Sequence, residues 1–177
     1  MKRNLGSTIA FLRNWGYLMV AAALFVAPVN SALAGPGGTD RPHLGKCDTA
    51  FGPLPPTFPA VAEISLSCHF RHLGRTTGWI VQTIDVAGPP VNGVVPLRVT
   101  NGRFTYVAAN GDELHATFAD YTASFDLATG VIEFASTGTI VGGTGRFSNA
   151  SGESFIEGHA SAVTLTGFYV ELGTLSY

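Results

Sequence analysis

The sequence predicts an all-β protein: a single eight-stranded antiparallel up-and-down β-barrel, following a cleaved signal peptide and a Pro/Gly-rich extended arm. Three observations carry that reading. Only 12% of the residues are charged while Gly, Thr, Val and Phe are abundant, a composition that suits pleated sheet better than helix. From residue 60 onward, apolar and polar residues alternate in short runs broken by Gly, Pro, Asn and Asp. No run forms a helix long enough to cover a sheet, so closing the sheet on itself is the natural way to remove its edges.

The N-terminal residues 1–34 read as a secretory signal. Lys2, Arg3 and Arg13 give a positive start, residues 17–27 form an apolar run ended by Pro28 and Asn30, and Ala32-Leu33-Ala34 supplies the small-x-small cleavage pattern. The run is too short to span a bilayer comfortably. Cleavage between Ala34 and Gly35 leaves 143 of the 177 residues, enough for one domain with a core, in a secreted or periplasmic setting. It also leaves seven basic residues against twelve acidic ones, a net charge of −5. Nucleic acid and anionic membrane are therefore not expected partners.

Residues 35–59 form the arm, with Pro53, Pro55, Pro56 and Pro59 crowded together. Leu44, Phe51, Leu54 and Phe58 are its candidates for packing over an open barrel end. Cys47 and Cys68 both follow the signal, and an even count in an oxidising compartment predicts a disulfide. It would close a loop of about 20 residues and contribute roughly 3 kcal/mol. No electropositive setting marks either as a reactive thiol.

The barrel domain, 60–177, starts with Ile64, Leu66, Cys68 and Phe70 on one strand face. Residues 76–86 follow, with Trp79, Val81 and Thr83 set against Ile80, Gln82 and Ile84. Residues 93–100 contain Pro96, the mark of an edge or a bulge. Residues 103–118 form a hairpin around Asn110-Gly111, read as a two-residue turn that pairs Tyr106 with His115 and Ala108 with Glu113. A second hairpin joins 121–127 to 131–141 through Ala128-Thr129-Gly130, and 153–163 and 164–177 complete the count.

Between 131–141 and 153–163 lies Gly142-Gly143-Thr144-Gly145-Arg146-Phe147-Ser148-Asn149-Ala150-Ser151-Gly152. Phosphate loops share such glycines but need a helix start directly after them, and here β-type sequence follows. The glycines instead let a barrel strand bend or pack closely, with Phe147 as a core plug and Arg146 in solvent or paired with a carboxylate. Gly142, Gly143, Gly145, Phe147 and Gly152 are structural in this reading. The stretch is similar to the GGTGxF…A.G signature of the dirigent and allene oxide cyclase barrels and of short secreted bacterial proteins of that type. Asn110-Gly111-Asp112 and the closing Gly173-Thr174-Leu175-Ser176-Tyr177 also look like the bacterial relatives. The resemblance implies an eight-stranded antiparallel barrel and a homo-oligomer, trimer or dimer. It assigns no catalytic residue, because neither the cyclases' cavity glutamate nor the dirigents' paired aspartates and arginines match a position here by motif.

Trp79, Phe104, Tyr106, Phe118 and Phe134 are the candidate walls of a ligand cavity, and Tyr106, His115 and Glu113 would bring an aromatic, a base and an acid to one face. The alternative for that trio is an ordinary cross-strand cluster. Cys68-His69 with His72 lacks a second ligand pair, so no metal and no cofactor are expected. Asn149-Ala150-Ser151 fits a glycosylation sequon, relevant only in a eukaryote. Three functions fit: a non-enzymatic barrel that binds a small apolar or aromatic molecule or serves as an oligomeric module, a cyclase- or dirigent-like guide for a reactive intermediate, and a protein-binding envelope or inhibitor module.

Overall fold

The computed structural model describes residues 40–53 and 56–177, so the expected signal and Leu54 lie outside the described residues. Nine strands form one antiparallel sheet that closes on itself: β1 (Arg41–Phe51), β2 (Ala60–Phe70), β3 (Gly74–Val86), β4 (Val94–Ala108), β5 (Glu113–Phe118), β6 (Tyr121–Asp126), β7 (Val131–Gly143), β8 (Gly152–Ser161) and β9 (Thr166–Leu175). They make eight staves. β5 and β6 pair with β4 in one continuous register, Gly102 facing Phe118 and Val99 facing Tyr121, so together they are one stave interrupted at Ala119 and Asp120.

β1 corrects the expected division at residue 60. Arg41–Phe51 is a stave in its own right, paired with β2 on one side and β9 on the other. Its inward face is His43, Gly45, Cys47 and Thr49 while Leu44 points out, so the pattern lacks the apolar inner face by which a strand is recognised. The disulfide Cys47–Cys68 joins directly opposed residues of β1 and β2 inside the core.

β4 also differs, running unbroken through the two strands expected at 93–100 and 103–109. Val81 faces Arg103 and Thr83 faces Thr100, so Asn101 and Gly102 form a bulge opposite Gln82. Asn101 sits at φ 58°, a left-handed conformation that Asn tolerates better than most residues. Pro96 is at the rim, beyond the last paired residue of β3, where its carbonyl accepts the Ala87 N–H at 2.8 Å.

The β4–β5 hairpin is one residue out of the expected register. Tyr106 faces Leu114 and Thr105 faces His115, because the connection holds three residues with Gly111 at φ 88°. Gly111 N–H bonds to Ala108 O and Ala108 N–H to Asp112 O, the pattern of a turn followed by a glycine bulge. Since strand side chains alternate, this slip moves every partner to the other face. Phe104, Tyr106, Leu114 and Phe118 are buried inside, whereas Glu113 and His115 point outward and pair with each other at 2.9 Å.

One end of the barrel is packed solid. The Gly-rich connection between β7 and β8 folds over it as a short 3-10 turn, Gly145–Phe147, and drives the fully buried Phe147 into the core. Gly145 has φ 52°, and a Cβ there would run into the Asp112 carboxylate. That carboxylate accepts the Arg146 N–H at 3.3 Å and lies 3.8 Å from Arg146 Nε, so Arg146 pairs with a carboxylate. The Phe147 ring meets Tyr177 edge-on, centroids 4.9 Å apart. Among the described residues, no helix is long and apolar enough to cross a membrane.

Candidate functional site

The opposite end of the barrel is open inside. A cavity of about 510 Å³ occupies the half of the lumen beneath the β1–β2, β3–β4, β6–β7 and β8–β9 connections, and all eight staves contribute to its wall. The wall is largely apolar, with Ile64, Ile80, Ile84, Val99, Ile132 and Phe134 among its residues. Phe51 and Pro53 border it from the β1 end, and Phe58 packs against the neighbouring cluster of Ile84, Leu97, Val99 and Ala123. The volume falls in the range of small-molecule sites.

Of the seven expected ligand positions, Phe104 and Phe134 border this cavity. Tyr106 and Phe118 lie in the packed core with Phe104, whose ring sits 3.9 Å from that of Phe118 by centroids. Trp79 is on the outer face of β3, 45% exposed, and Glu113 and His115 are on the outer face of β5. The Tyr106–His115–Glu113 trio is therefore not assembled: the barrel wall separates Tyr106 from the other two. Cys68 is held in the disulfide, and His69 and His72 are exposed, His69 on β2 and His72 in the turn after it.

A buried polar cluster lies beneath the cavity, and Tyr169 connects the two. Tyr169 on β9 borders the cavity, and its hydroxyl lies 3.0 Å from that of Tyr106 on β4. Tyr106 donates to Glu171 Oε2 at 2.6 Å, and His43 Nε2 lies 3.2 Å from Glu171 Oε1. The His43 ring stacks on Phe70 at 4.6 Å, and its Nδ1 has no partner among the described residues. All four side chains are essentially excluded from solvent. A phenol carries one proton, and that of Tyr106 goes to Glu171, so Tyr169 is the donor between the two hydroxyls. Burial, and secondarily the Glu171 carboxylate, push the pKa of both tyrosines well above 10. Both remain neutral donors at any physiological pH.

A second polar spot lies on the wall. Tyr121 on β6 donates to Gln82 Oε1 at 3.3 Å, and both residues border the cavity. Burial pushes the Tyr121 phenol up to about 12. His43 and Glu171 escape sequence reading because strand 164–177 shows its apolar side, Phe168, Val170 and Leu172, outward. The signal that marks Glu171 is its alternation with Tyr169, Gly173 and Leu175.

Fold and lumen define a small closed antiparallel β-barrel with one end plugged and an internal cavity at the other. No protein-family model matches the chain. No curated protein matches it either. Among solved structures it is similar to the pterocarpan synthase dirigent protein GePTS1, at 12% identity and a TM-score of 0.44, covering 82% of this chain and 88% of that one.

Proposed function

We propose that this protein is a secreted barrel that binds one small, largely apolar or aromatic molecule in its lumen. The observation that carries the reading is the cavity of about 510 Å³, enclosed by all eight staves and walled mainly by aliphatic and aromatic side chains. Burying an apolar ligand there removes its surface from water, while the Gln82–Tyr121 pair orients it. The intact Cys47–Cys68 bridge supports an oxidising compartment. The test is fluorescence titration with 1-aminoanthracene, a neutral tricyclic probe, against the native protein and Ala62→Trp. Ala62 lines the wall half-buried, so the indole fills lumen space. Saturable binding by the native barrel, lost in the folded variant, is expected. Equal binding by both places the probe elsewhere and removes the lumen from the function.

Self-association is a second part of the reading. On the outer face Leu44, Leu172 and Phe155 are direct cross-strand neighbours, 44%, 47% and 40% exposed. An apolar row across three staves suits a contact between copies. Sedimentation of the native protein against Leu172→Glu tests it: an oligomer that dissociates in the variant supports the contact, and a native monomer removes it.

A further inference from the structure

We infer that Gln82 is the polar anchor of the lumen, and that the molecule bound there carries a carbonyl oxygen on an otherwise apolar body. The inference rests on reading the lumen as a ligand site and names the chemistry that site selects. Gln82 points inward between Ile80 and Ile84 and is 7% exposed. Its Oε1 is engaged by the Tyr121 hydroxyl at 3.3 Å, and no hydrogen bond to its amide nitrogen is made among the described residues. Tyr121 has one proton to place, and the amide oxygen takes it, which leaves both N–H groups of Gln82 for another partner.

Gln82 borders the lumen, so its donors become costly once an occupant dries them, whereas an aliphatic residue of similar length would complete the Ile80–Ile84 wall without that cost. The backbone is shaped at the same place. The Asn101–Gly102 bulge in β4 stands directly opposite Gln82, and bulges of this kind re-aim side chains beside functional sites. Tyr169 does not supply the missing acceptor: its hydroxyl is engaged with Tyr106, and no bond from Gln82 to it is made among the described residues. A pure hydrocarbon in the lumen would leave the Gln82 N–H groups dry and unpaired. A ligand with a carbonyl at that height would accept from them, and discrimination follows from the difference.

The test is a matched pair of probes, 2-acetonaphthone and 2-ethylnaphthalene, which share ring system and size and differ in a carbonyl against a methylene. Dissociation constants are measured by calorimetry for the native protein, Gln82→Leu and Tyr121→Phe. Gln82→Met repeats the comparison with the least change in side-chain length. The ketone-to-hydrocarbon affinity ratio should fall about tenfold on loss of the amide, the worth of one neutral hydrogen bond. Tyr121→Phe, which frees the amide to rotate, should lower the ratio by a smaller factor. A ratio unchanged in both Gln82 variants overturns the anchor and leaves the lumen reading standing. If neither probe binds the native barrel, the lumen reading fails, and the anchor with it.

Discussion

The hydroxyls of Tyr106 and Tyr169 meet 3.0 Å apart although β4 and β9, which carry them, are separated by three staves in either direction around the ring. Two phenols reaching across the barrel from opposite walls form a crossbar between the plugged half and the open half. Glu171 collects the proton of Tyr106, and His43 holds the other carboxylate oxygen.

This crossbar makes the fold sensitive to alkali. Tyr106 and Tyr169 have folded pKa values raised above the unfolded value near 10, and Tyr121 is raised to about 12. Above pH 10 the unfolded chain loses phenol protons that the folded chain keeps. Their contribution is therefore fully present below pH 10 and declines as pH rises toward the folded values. Each such tyrosine should cost about 1.4 kcal/mol per pH unit in that window. Urea denaturation at increasing alkaline pH measures the slope, and Tyr121→Phe should make it shallower. A stability that stays flat through about pH 11 would contradict the buried, neutral assignment.

Reduction of Cys47–Cys68 should lower stability by roughly 3 kcal/mol, the value typical of a loop of about 20 residues. The bridge lies within the core between adjacent staves, so the double variant Cys47→Ala/Cys68→Ala should behave like the reduced protein. Equal urea midpoints with and without reductant would show that the two strands hold together without it.

Gly145→Val should destabilise by more than about 1 kcal/mol, because a β-branched residue is placed at φ 52°. The new side chain must also displace the Asp112 carboxylate from its bonds to Asn110 Nδ2 and the Arg146 N–H. Thermal melts read the loss, and an unchanged midpoint would mean that the β7–β8 cap is dispensable.

His115→Ala and Glu113→Ala should each leave stability within about 0.5 kcal/mol and lumen binding unchanged. The pair is on the outer face, with side chains 40% and 34% exposed. Loss of probe binding in either variant would mean that the register brings them to the lumen after all.

The barrel was legible from alternation and turn glycines because both are local. Ile64, Leu66, Cys68 and Phe70 point inward as the pattern implies, and Phe147 plugs the core beside its glycines. The polar cluster beneath the lumen was hidden by an inversion at the β1–β9 seam. There the apolar residues Leu44, Phe168 and Leu172 lie outside and His43 and Glu171 lie inside, the reverse of what burial of apolar surface suggests. The Tyr106–His115 pairing failed for a different reason. Asn-Gly favours a two-residue turn, but here Asn110 donates through its side chain to Asp112, and Asp112 receives the Arg146 N–H from the β7–β8 cap. That second contact is 34 residues away in sequence, and no local rule contains it.

The pairing of β1 with β9 has a consequence in time. Ala50 finds Thr166 and Arg41 finds Leu175, so the first described stave stays half-paired until the last is made. The ring cannot close before β9 is made, and until then the chain keeps an open strand edge ready to join a neighbour. Such long-range closure slows folding, and a chaperone that holds the nascent chain apart from its copies would serve this barrel better than one that hastens collapse.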